Sequence, residues 1–227
     1  MPKSPPLDVL FEDNHLLVIN KPVGLPTQGV VEGATSVVTA AKDYLKEKYK
    51  KPGNVYLGVV SRLDASVSGV LVLARTSKAA ARLNEQFRER TAKKTYWAVV
   101  ERPPDPPAGE LTNWLKKDEK LQRMAVVSRH TIGAQRARLT YRTLNKQPQG
   151  CLIEVQLETG RKHQIRVQLA QLGCPILGDR KYGSRRKLPA GIALHAHTLE
   201  ITHPVSKEVL RLVAPPPKSL ATYAKAD

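Results

Sequence analysis

The chain has 227 residues, of which 41% are apolar, so it is long enough to bury a core and too apolar for the intrinsically disordered class. Its two cysteines, Cys151 and Cys174, exclude a disulfide-stapled scaffold, and no apolar run approaches the roughly 20 residues of a membrane-spanning helix. With 37 lysines and arginines against 20 aspartates and glutamates, the net charge of +17 favours a polyanionic partner.

Most of this charge lies in the middle of the chain. Residues 1–50 hold six basic and six acidic side chains, whereas residues 51–200 hold 27 basic and 12 acidic ones, a surplus of 15. The charge therefore belongs to the body of the fold rather than to a basic tail. Because the N-terminus shows no export signal, we expect reduced thiols and a cytoplasmic protein.

Hydrophobic spacing predicts the secondary structure along the chain. Helical spacing indicates helices at 35–49, at 77–90 with Ser77 as the cap, and at 162–172. Apolar and alternating segments indicate strands at 8–11, 15–20, 55–60, 69–74, 94–100, 111–115, 123–127, 136–144, 151–157, 197–201 and 209–213. Because strands outnumber helices and follow one another in runs, a mixed and mainly antiparallel α+β fold is favoured.

A proline-rich stretch at 101–109 can continue neither a helix nor a strand. It indicates a loop or a boundary between two halves of the sheet. Since neither side has a composition class of its own, we expect a single domain over residues 1–227, with a possible sub-boundary at 101–109.

Three segments could carry chemistry, and the first is Ser61-Arg62-Leu63-Asp64. Between residues 48 and 84 the chain has seven basic side chains, and Asp64 is the only carboxylate. Neighbouring cations favour its ionised form, which suits nucleophilic or electrostatic work on an electrophilic carbon. The alternative is an aspartate that caps a turn or pairs with Arg62, and the tetrapeptide alone favours this alternative.

The second segment, residues 159–166, places Arg161 and Lys162 in the first turn of the third predicted helix. Cations there oppose the helix dipole unless an anion docks on the helix N-terminus, so both residues are candidates for phosphate contact. Arg166 lies one turn further in and could face a buried carboxylate. A solvated basic helix end explains the local pattern equally well.

The third segment is the strand at 94–100, in which alternation places Lys94, Tyr96 and Ala98 on one face. A tyrosine beside cations could stack on a nucleic-acid base. A lone tyrosine in a strand is, however, more often part of the core.

Two further patterns are incomplete. Residues 173–178 have the glycine spacing of a phosphate loop, but Asp179 and Arg180 follow where lysine and serine or threonine are required. His195 and His197 share a strand face, yet no third ligand has convincing spacing, so we expect structural roles for both and predict no metal site.

Several short motifs also follow one another in a fixed order. They are residues 14–25 (NHLLVINKPVGL), Arg62-Leu63-Asp64 with Ser68-Gly69, 94–96 (KTY), 160–166 (GRKHQIR), 173–179 (GCPILGD) with Tyr182-Gly183, 194–196 (LHA) and His203-Pro204. Each is weak alone, but in order and spacing they resemble the RluA-type family of RNA pseudouridine synthases, from about residue 8 to residue 213.

This resemblance implies the pseudouridine synthase catalytic fold, with helices flanking a mixed, mainly antiparallel sheet and a central active-site cleft. The implied reaction breaks the glycosidic bond of a uridine in RNA, rotates the base and rejoins it through carbon 5, with no cofactor. Asp64 falls on the catalytic aspartate of the family, Tyr96 on the tyrosine that packs against the target base, and Arg166 on the basic residue that pairs with the aspartate.

The resemblance also implies an RNA-binding set. Arg62 falls on the arginine that fills the gap left when the uridine leaves its stack, and Arg161, Lys162 and His163 complete the predicted substrate contacts. The expected partner is structured RNA, ribosomal or transfer, and nothing in the sequence demands more than a monomer.

The chain departs from the family pattern at two positions beside Asp64. Ser61 stands where histidine is usual, and Val67 stands where threonine is usual. Loop geometry or substrate fit could therefore differ. Many members also carry an N-terminal RNA-binding domain of the ribosomal-protein type, whereas here the pattern begins at about residue 8, so we expect a short member.

Two other functions stay open. A non-catalytic RNA-binding protein could keep the scaffold, but the presence of Asp64, Tyr96 and Arg166 together argues against it. A metal-dependent nucleic-acid hydrolase could use Asp64, but it would lack the second carboxylate that such sites need.

Overall fold

The computed structural model describes residues 6–29 and 34–224, and the chain divides into two compact units. The first unit comprises residues 1–92 and 196–215, and the second comprises residues 93–195 and 216–227. The proline-rich stretch at 101–109 lies inside the second unit. A single catalytic domain over the whole chain stays a prediction.

Strands dominate the secondary structure. The strands are β1 (Val9–Glu12), β2 (Leu16–Lys21), β3 (Gly58–Val59), β4 (Ser68–Ala74), β5 (Lys93–Val100), β6 (Ala108–Asp118), β7 (Arg123–Val127), β8 (Gln135–Gln147), β9 (Gly150–Leu157), β10 (Leu194–Thr202) and β11 (Val209–Val213). The helices are α1 (Val37–Lys48), α2 (Ser77–Glu89), α3 (Gln164–Gln171), α4 (Lys218–Ala224) and a short 3-10 helix (Arg180–Tyr182). The predicted α+β fold is confirmed, although α4 and the 3-10 helix were not predicted.

In the first unit, β1, β2, β4 and β10 are neighbours in that order, and β3 and β11 pair with β4 and β10. Residues 16–19 of β2 and 70–74 of β4 are almost fully buried, which explains their unbroken apolar sequence. Alternate side chains of these strands point to opposite faces. One row packs against Leu83 of α2 and the other against Leu45 of α1.

The helices of this unit begin at side-chain caps. Ser36 and Thr39 form a reciprocal capping box at the start of α1. The cap of α2 is Thr76, whose hydroxyl accepts from the Ala79 amide at 3.2 Å. The predicted cap at Ser77 is therefore wrong by one residue, because Thr76 is the last residue with extended backbone.

The second unit contains an antiparallel array in the order β5-β9-β8-β6-β7. α3 packs on it through Val167, which shares a core cluster with Leu115, Met124 and Ala137. Within the described residues, no helix is both long and apolar enough to cross a membrane.

Glu12, at the end of β1, is the centre of a side-chain network in the first unit. Its carboxylate accepts from Tyr44 at 2.8 Å, Lys48 at 2.7 Å, Tyr49 at 2.6 Å and Arg75 at 3.0 Å. Burial alone would raise the pKa of Glu12, but the hydrogen bonds from Lys48, Tyr49 and Tyr44 outweigh burial and lower the pKa to about 2. The network thus joins β1 to α1 and to the end of β4.

We expect Glu12→Gln to destabilise the protein by roughly 2 kcal/mol at neutral pH, because a carboxylate with a lowered folded-state pKa stabilises the fold while it is charged. In the wild type this contribution is complete above pH 4.5 and is lost as the pH falls toward 2. Chemical denaturation of both proteins across this pH range measures it. A stability difference that does not shrink below pH 4.5 would contradict the assignment.

Candidate active site

Asp64 lies half-buried in the turn that connects β3 to β4 in the first unit. The Val67 amide donates to the Asp64 carbonyl at 3.0 Å, and the Val67 side chain is buried. Gly69 follows with φ +115°, and a Cβ there would lie 2.2 Å from the carbonyl oxygen of Ala196 in β10. Only glycine fits this close approach, so the turn that carries Asp64 leads at once into a packed strand.

A buried lysine lies beneath this turn. Lys21 ends β2 with none of its surface exposed, and its Nζ donates to the carbonyls of Pro22 and Leu25 at 2.8 Å each and of Ala65 at 3.4 Å. Burial lowers the pKa of Lys21 to about 8, and the negative charge of Asp64 partly opposes this. Lys21 therefore ties the chain after β2 to the residue that follows Asp64.

Residues 24–27 fix the other side of the same turn. The Gly24 amide donates to the Ala65 carbonyl at 2.7 Å. Thr27 Oγ1 donates to the Leu63 carbonyl at 2.8 Å and accepts from the Leu63 amide at 3.2 Å. Because these bonds lie on both sides of Asp64, the carboxylate is carried by a backbone that is fixed before any substrate binds.

Sequence reasoning missed the roles of Lys21 and Thr27, since Lys21 belongs only to the 14–25 motif and Thr27 lies outside every motif. One signal was available. Lys21 directly follows a strand whose side chains are almost all apolar, and a lysine at the end of such a strand is buried only when its ammonium group finds acceptors.

We expect the stability of the wild type to rise between about pH 8 and pH 10.5, and we expect this rise to be absent in Lys21→Met. Lysine titrates near 10.5 when unfolded and near 8 at this site, so between these values the unfolded state binds more protons and stability rises with pH. The difference between the two pKa values corresponds to roughly 3 kcal/mol.

Chemical denaturation of wild type and Lys21→Met across that pH range measures the effect. The control is Lys42→Met, which removes an exposed lysine from α1. Stability curves of wild type and Lys21→Met that run parallel above pH 8 would show that Lys21 is not a buried titrating group.

In the second unit, Lys94 and Tyr96 lie on one face of β5, with Tyr96 half-buried opposite Val155 of β9. Burial lowers the pKa of Lys94. A Cβ at Gly160 would lie 3.3 Å from Lys94 Nζ, so the lysine packs against the glycine. Two of the three segments predicted to carry chemistry therefore meet here.

The loop that begins at Thr159 is held by the side chain of Gln164. Gln164 Oε1 accepts from Thr159 Oγ1 at 2.7 Å and from the Arg161 amide at 3.0 Å. His163 is in the left-handed conformation, with φ 53°, and α3 begins only after it. Arg161 and Lys162 thus precede the helix, and their predicted position in its first turn is wrong because His163 interrupts the helical backbone.

Arg166, in the first turn of α3, forms a bidentate ion pair with Asp179. The distances are 2.6 Å from Nε to Oδ2 and 2.9 Å from Nη2 to Oδ1, and the two side chains are 8% and 1% exposed. The expectation that Arg166 faces a buried carboxylate is confirmed. The pairing of Arg166 with Asp64, which the family resemblance implies, stays a prediction.

Tyr182 completes the surroundings of this pair. Its ring centroid lies 5.0 Å from the Arg166 guanidinium carbon, within the range of a cation–π contact. Its hydroxyl accepts from the Met124 amide at 2.9 Å and is 2.8 Å from His163 Nδ1. One tyrosine thus connects β7, the loop before α3 and the buried ion pair.

The seven predicted site residues divide between the two units. Asp64 and the exposed Arg62 belong to the first, whereas the second holds Tyr96, Arg161, Lys162, His163 and Arg166. Their roles toward RNA and in the reaction stay predictions.

Comparison with known proteins gives consistent matches. The model of the RNA pseudouridylate synthase family matches residues 15–171, a stretch that contains all seven predicted site residues. An uncharacterised RNA pseudouridine synthase of Synechocystis is 37% identical over 93% of this chain, which spans 66% of that relative. The ribosomal large subunit pseudouridine synthase D of Xanthomonas campestris is 37% identical over 99% of the chain, which spans 70% of it.

A solved structure agrees with these sequence matches. The human RNA pseudouridylate synthase domain containing 4 superposes with a TM-score of 0.78 at 30% identity. The alignment covers 94% of this chain and 90% of the human one. The strands and helices described above therefore have their counterpart in a known fold.

Proposed function

Since this chain belongs to the RNA pseudouridylate synthase family, whose members are isomerases, we propose that it converts uridine in structured RNA to pseudouridine with Asp64 as its catalytic carboxylate. The observation that carries the proposal is the fixed backbone around Asp64. Hydrogen bonds from Thr27 and Gly24 reach the residues on either side of it, and a buried lysine reinforces them. A carboxylate on such a fixed backbone is preorganised, because it needs little rearrangement to meet the reacting nucleotide.

The reaction needs no external reagent because it is an isomerisation. The bond between uracil N1 and ribose C1′ breaks, a bond between uracil C5 and C1′ forms, the proton on C5 is lost and N1 takes up a proton. In the proposal, Asp64 acts on the reacting nucleotide. Tyr96 packs against the base and is the candidate to accept the C5 proton, and Arg166 is the partner of the Asp64 carboxylate.

A stacked uridine cannot reach a side chain, so the nucleotide must leave its stack at a cost of a few kcal/mol. Stacking on a protein side chain returns about 1–3 kcal/mol per base. In the proposal, Tyr96 receives the extruded base and the exposed Arg62 fills the space that it leaves. Together these two contacts are of the right size to offset base flipping.

The substrate that we propose is ribosomal or transfer RNA. The name of the Xanthomonas relative supports testing ribosomal RNA of the large subunit first. Pseudouridine mapping of total RNA from cells with and without the gene is the direct test. At least one site should disappear with the gene and return when the purified protein acts on the unmodified RNA. An unchanged map would refute the proposal.

A further inference from the structure

Six cations of the second unit form what we call the basic surface. They are Arg123 on β7, Arg136 on β8, Arg161 and Lys162 in the loop before α3, and Arg180 and Lys181 in the 3-10 helix. We propose that the basic surface binds the sugar–phosphate backbone of the RNA outside the reacting nucleotide and without reading its sequence. This inference rests on the proposed function for the presence of RNA and extends it to a second part of the protein.

Hydrogen bonds bring the 3-10 helix and β7 together. Arg123 Nη1 donates to the Lys181 carbonyl at 3.0 Å, and Lys181 Nζ donates to the Gln122 carbonyl at 3.0 Å. The side chains of Arg123 and Lys181 thus each bind the backbone of the other's segment. The Tyr182 hydroxyl adds a third link through the Met124 amide at 2.9 Å.

The loop before α3 joins the same surface. Arg161 Nε donates to the Arg136 carbonyl at 3.2 Å, which fixes the loop against β8. His163 Nδ1 lies 2.8 Å from the hydroxyl of Tyr182, the last residue of the 3-10 helix. The four segments that carry the six cations are therefore held together by side-chain contacts.

The charge of the basic surface is only partly offset in the described part of the chain, where Arg136 attracts the carboxylate of Glu110 and Asp118 lies opposite Arg123 in the pairing of β6 with β7. None of its six cations forms an ion pair there. The neighbouring carboxylate of Asp179 is 1% exposed and is bound to Arg166. Since like charges held close together repel one another, a polyanion that approaches this surface gains their combined attraction.

Two properties point to the phosphate backbone rather than to the bases. The ring of Tyr182 is buried next to Arg166, and the ring of His163 is half-buried and held by the Tyr182 hydroxyl at 2.8 Å. Neither ring therefore offers an open face on which a base could stack. Arg123, Arg161 and Lys181 are already fixed by backbone carbonyls, so less side-chain freedom is lost when they contact phosphates. The surface therefore supplies affinity without sequence recognition.

The test reverses two exposed charges of the surface in Lys162→Glu/Arg180→Glu and leaves the three carbonyl contacts in place. Fluorescence anisotropy of a labelled RNA hairpin of arbitrary sequence measures affinity against salt. For six phosphate contacts on the base-paired stem, log affinity should fall with log salt at a slope of about −5.4, and the loss of two contacts should reduce the slope to about −3.6. At about 0.1 M salt this difference of about 1.8 corresponds to roughly 60-fold weaker binding.

A second hairpin with an unrelated sequence should lose affinity by the same factor. The matched control is Lys42→Glu/Lys78→Glu, which makes the same change in net charge on exposed residues of α1 and α2 and should bind both hairpins far better. An unchanged salt slope, a loss confined to one hairpin, or an equal loss in the control would each overturn the proposal. The proposal would also be overturned if polyglutamate displaced the labelled hairpin as effectively as unlabelled RNA of the same total charge.

Pseudouridine formation by wild-type protein is measured in parallel on ribosomal RNA transcripts. A protein that shows the expected binding losses but forms no pseudouridine would refute the proposed function and leave the basic surface standing. A protein that forms pseudouridine and binds RNA equally well after charge reversal would refute the basic surface and leave the proposed function standing.

Discussion

Asp64→Asn should form no pseudouridine above background, a loss of about 10³-fold or more, while it folds and binds RNA as the wild type does. Asparagine keeps the volume and one oxygen of the side chain but removes the negative charge and most of the basicity. The hydrogen bonds that fix the turn come from Gly24 and Thr27 to the backbone on either side, so the substitution leaves them intact. The loss of the charge also removes the interaction that favours the charged form of Lys21, so a small loss of stability is expected beside the chemical effect.

Single-turnover incubation with ribosomal RNA transcripts, followed by mass-spectrometric detection of pseudouridine, measures this loss. Anisotropy with the same RNA and thermal denaturation establish that binding and folding persist. The control is Glu89→Gln, an equivalent substitution at an exposed position at the end of α2. If Asp64→Asn formed pseudouridine at the wild-type rate, Asp64 would have no catalytic role. If Asp64→Asn and Glu89→Gln lost the same activity, the loss would reflect a charge effect unrelated to the site.

The predictable part of the fold is the part that local patterns determine. The run at residues 16–19 and the helical spacing after residue 35 predict β2 and α1 correctly. Burial on both faces of a strand leaves an unbroken apolar run in the sequence, and burial on one face of a helix leaves a helical period. The predicted helix at 162–172 begins two residues too early. A left-handed residue such as His163 interrupts a helix without altering the hydrophobic pattern.

The site residues also divide into those that the sequence indicates and those that it does not. Asp64 could be singled out because it is the only carboxylate among many cations, and Tyr96 because strand alternation places it beside Lys94. The partners could not be predicted, since Lys21 and Asp64 are far apart in sequence and are brought together by the pairing of β2 with β4 and by the bond from Lys21 to the Ala65 carbonyl. Asp179 likewise belongs to an incomplete phosphate loop and to the 173–179 motif, and neither pattern indicates Arg166 as its partner.

Removing one member of the buried Arg166–Asp179 pair should cost about 3–5 kcal/mol of stability, because the remaining charge has no water to replace its partner. Asp179→Asn tests this with little change in shape. The double variant Arg166→Gln/Asp179→Asn should be less destabilised than the sum of the two single variants by about 2 kcal/mol. Urea denaturation of all four proteins at one pH gives this coupling energy.

The pair between Arg142 and Glu154 provides the internal comparison. Its nitrogen and oxygen lie 2.8 Å apart, but the arginine side chain is 63% exposed. Water therefore replaces Glu154 around the exposed arginine, and although the Glu154 side chain is only 15% exposed, we expect a coupling energy below about 1 kcal/mol. Equal coupling at both pairs would mean that burial does not strengthen the Arg166–Asp179 pair. A large difference would make Asp179 the residue that fixes the Arg166 side chain, so Asp179→Asn should also lower the single-turnover rate and not only the stability.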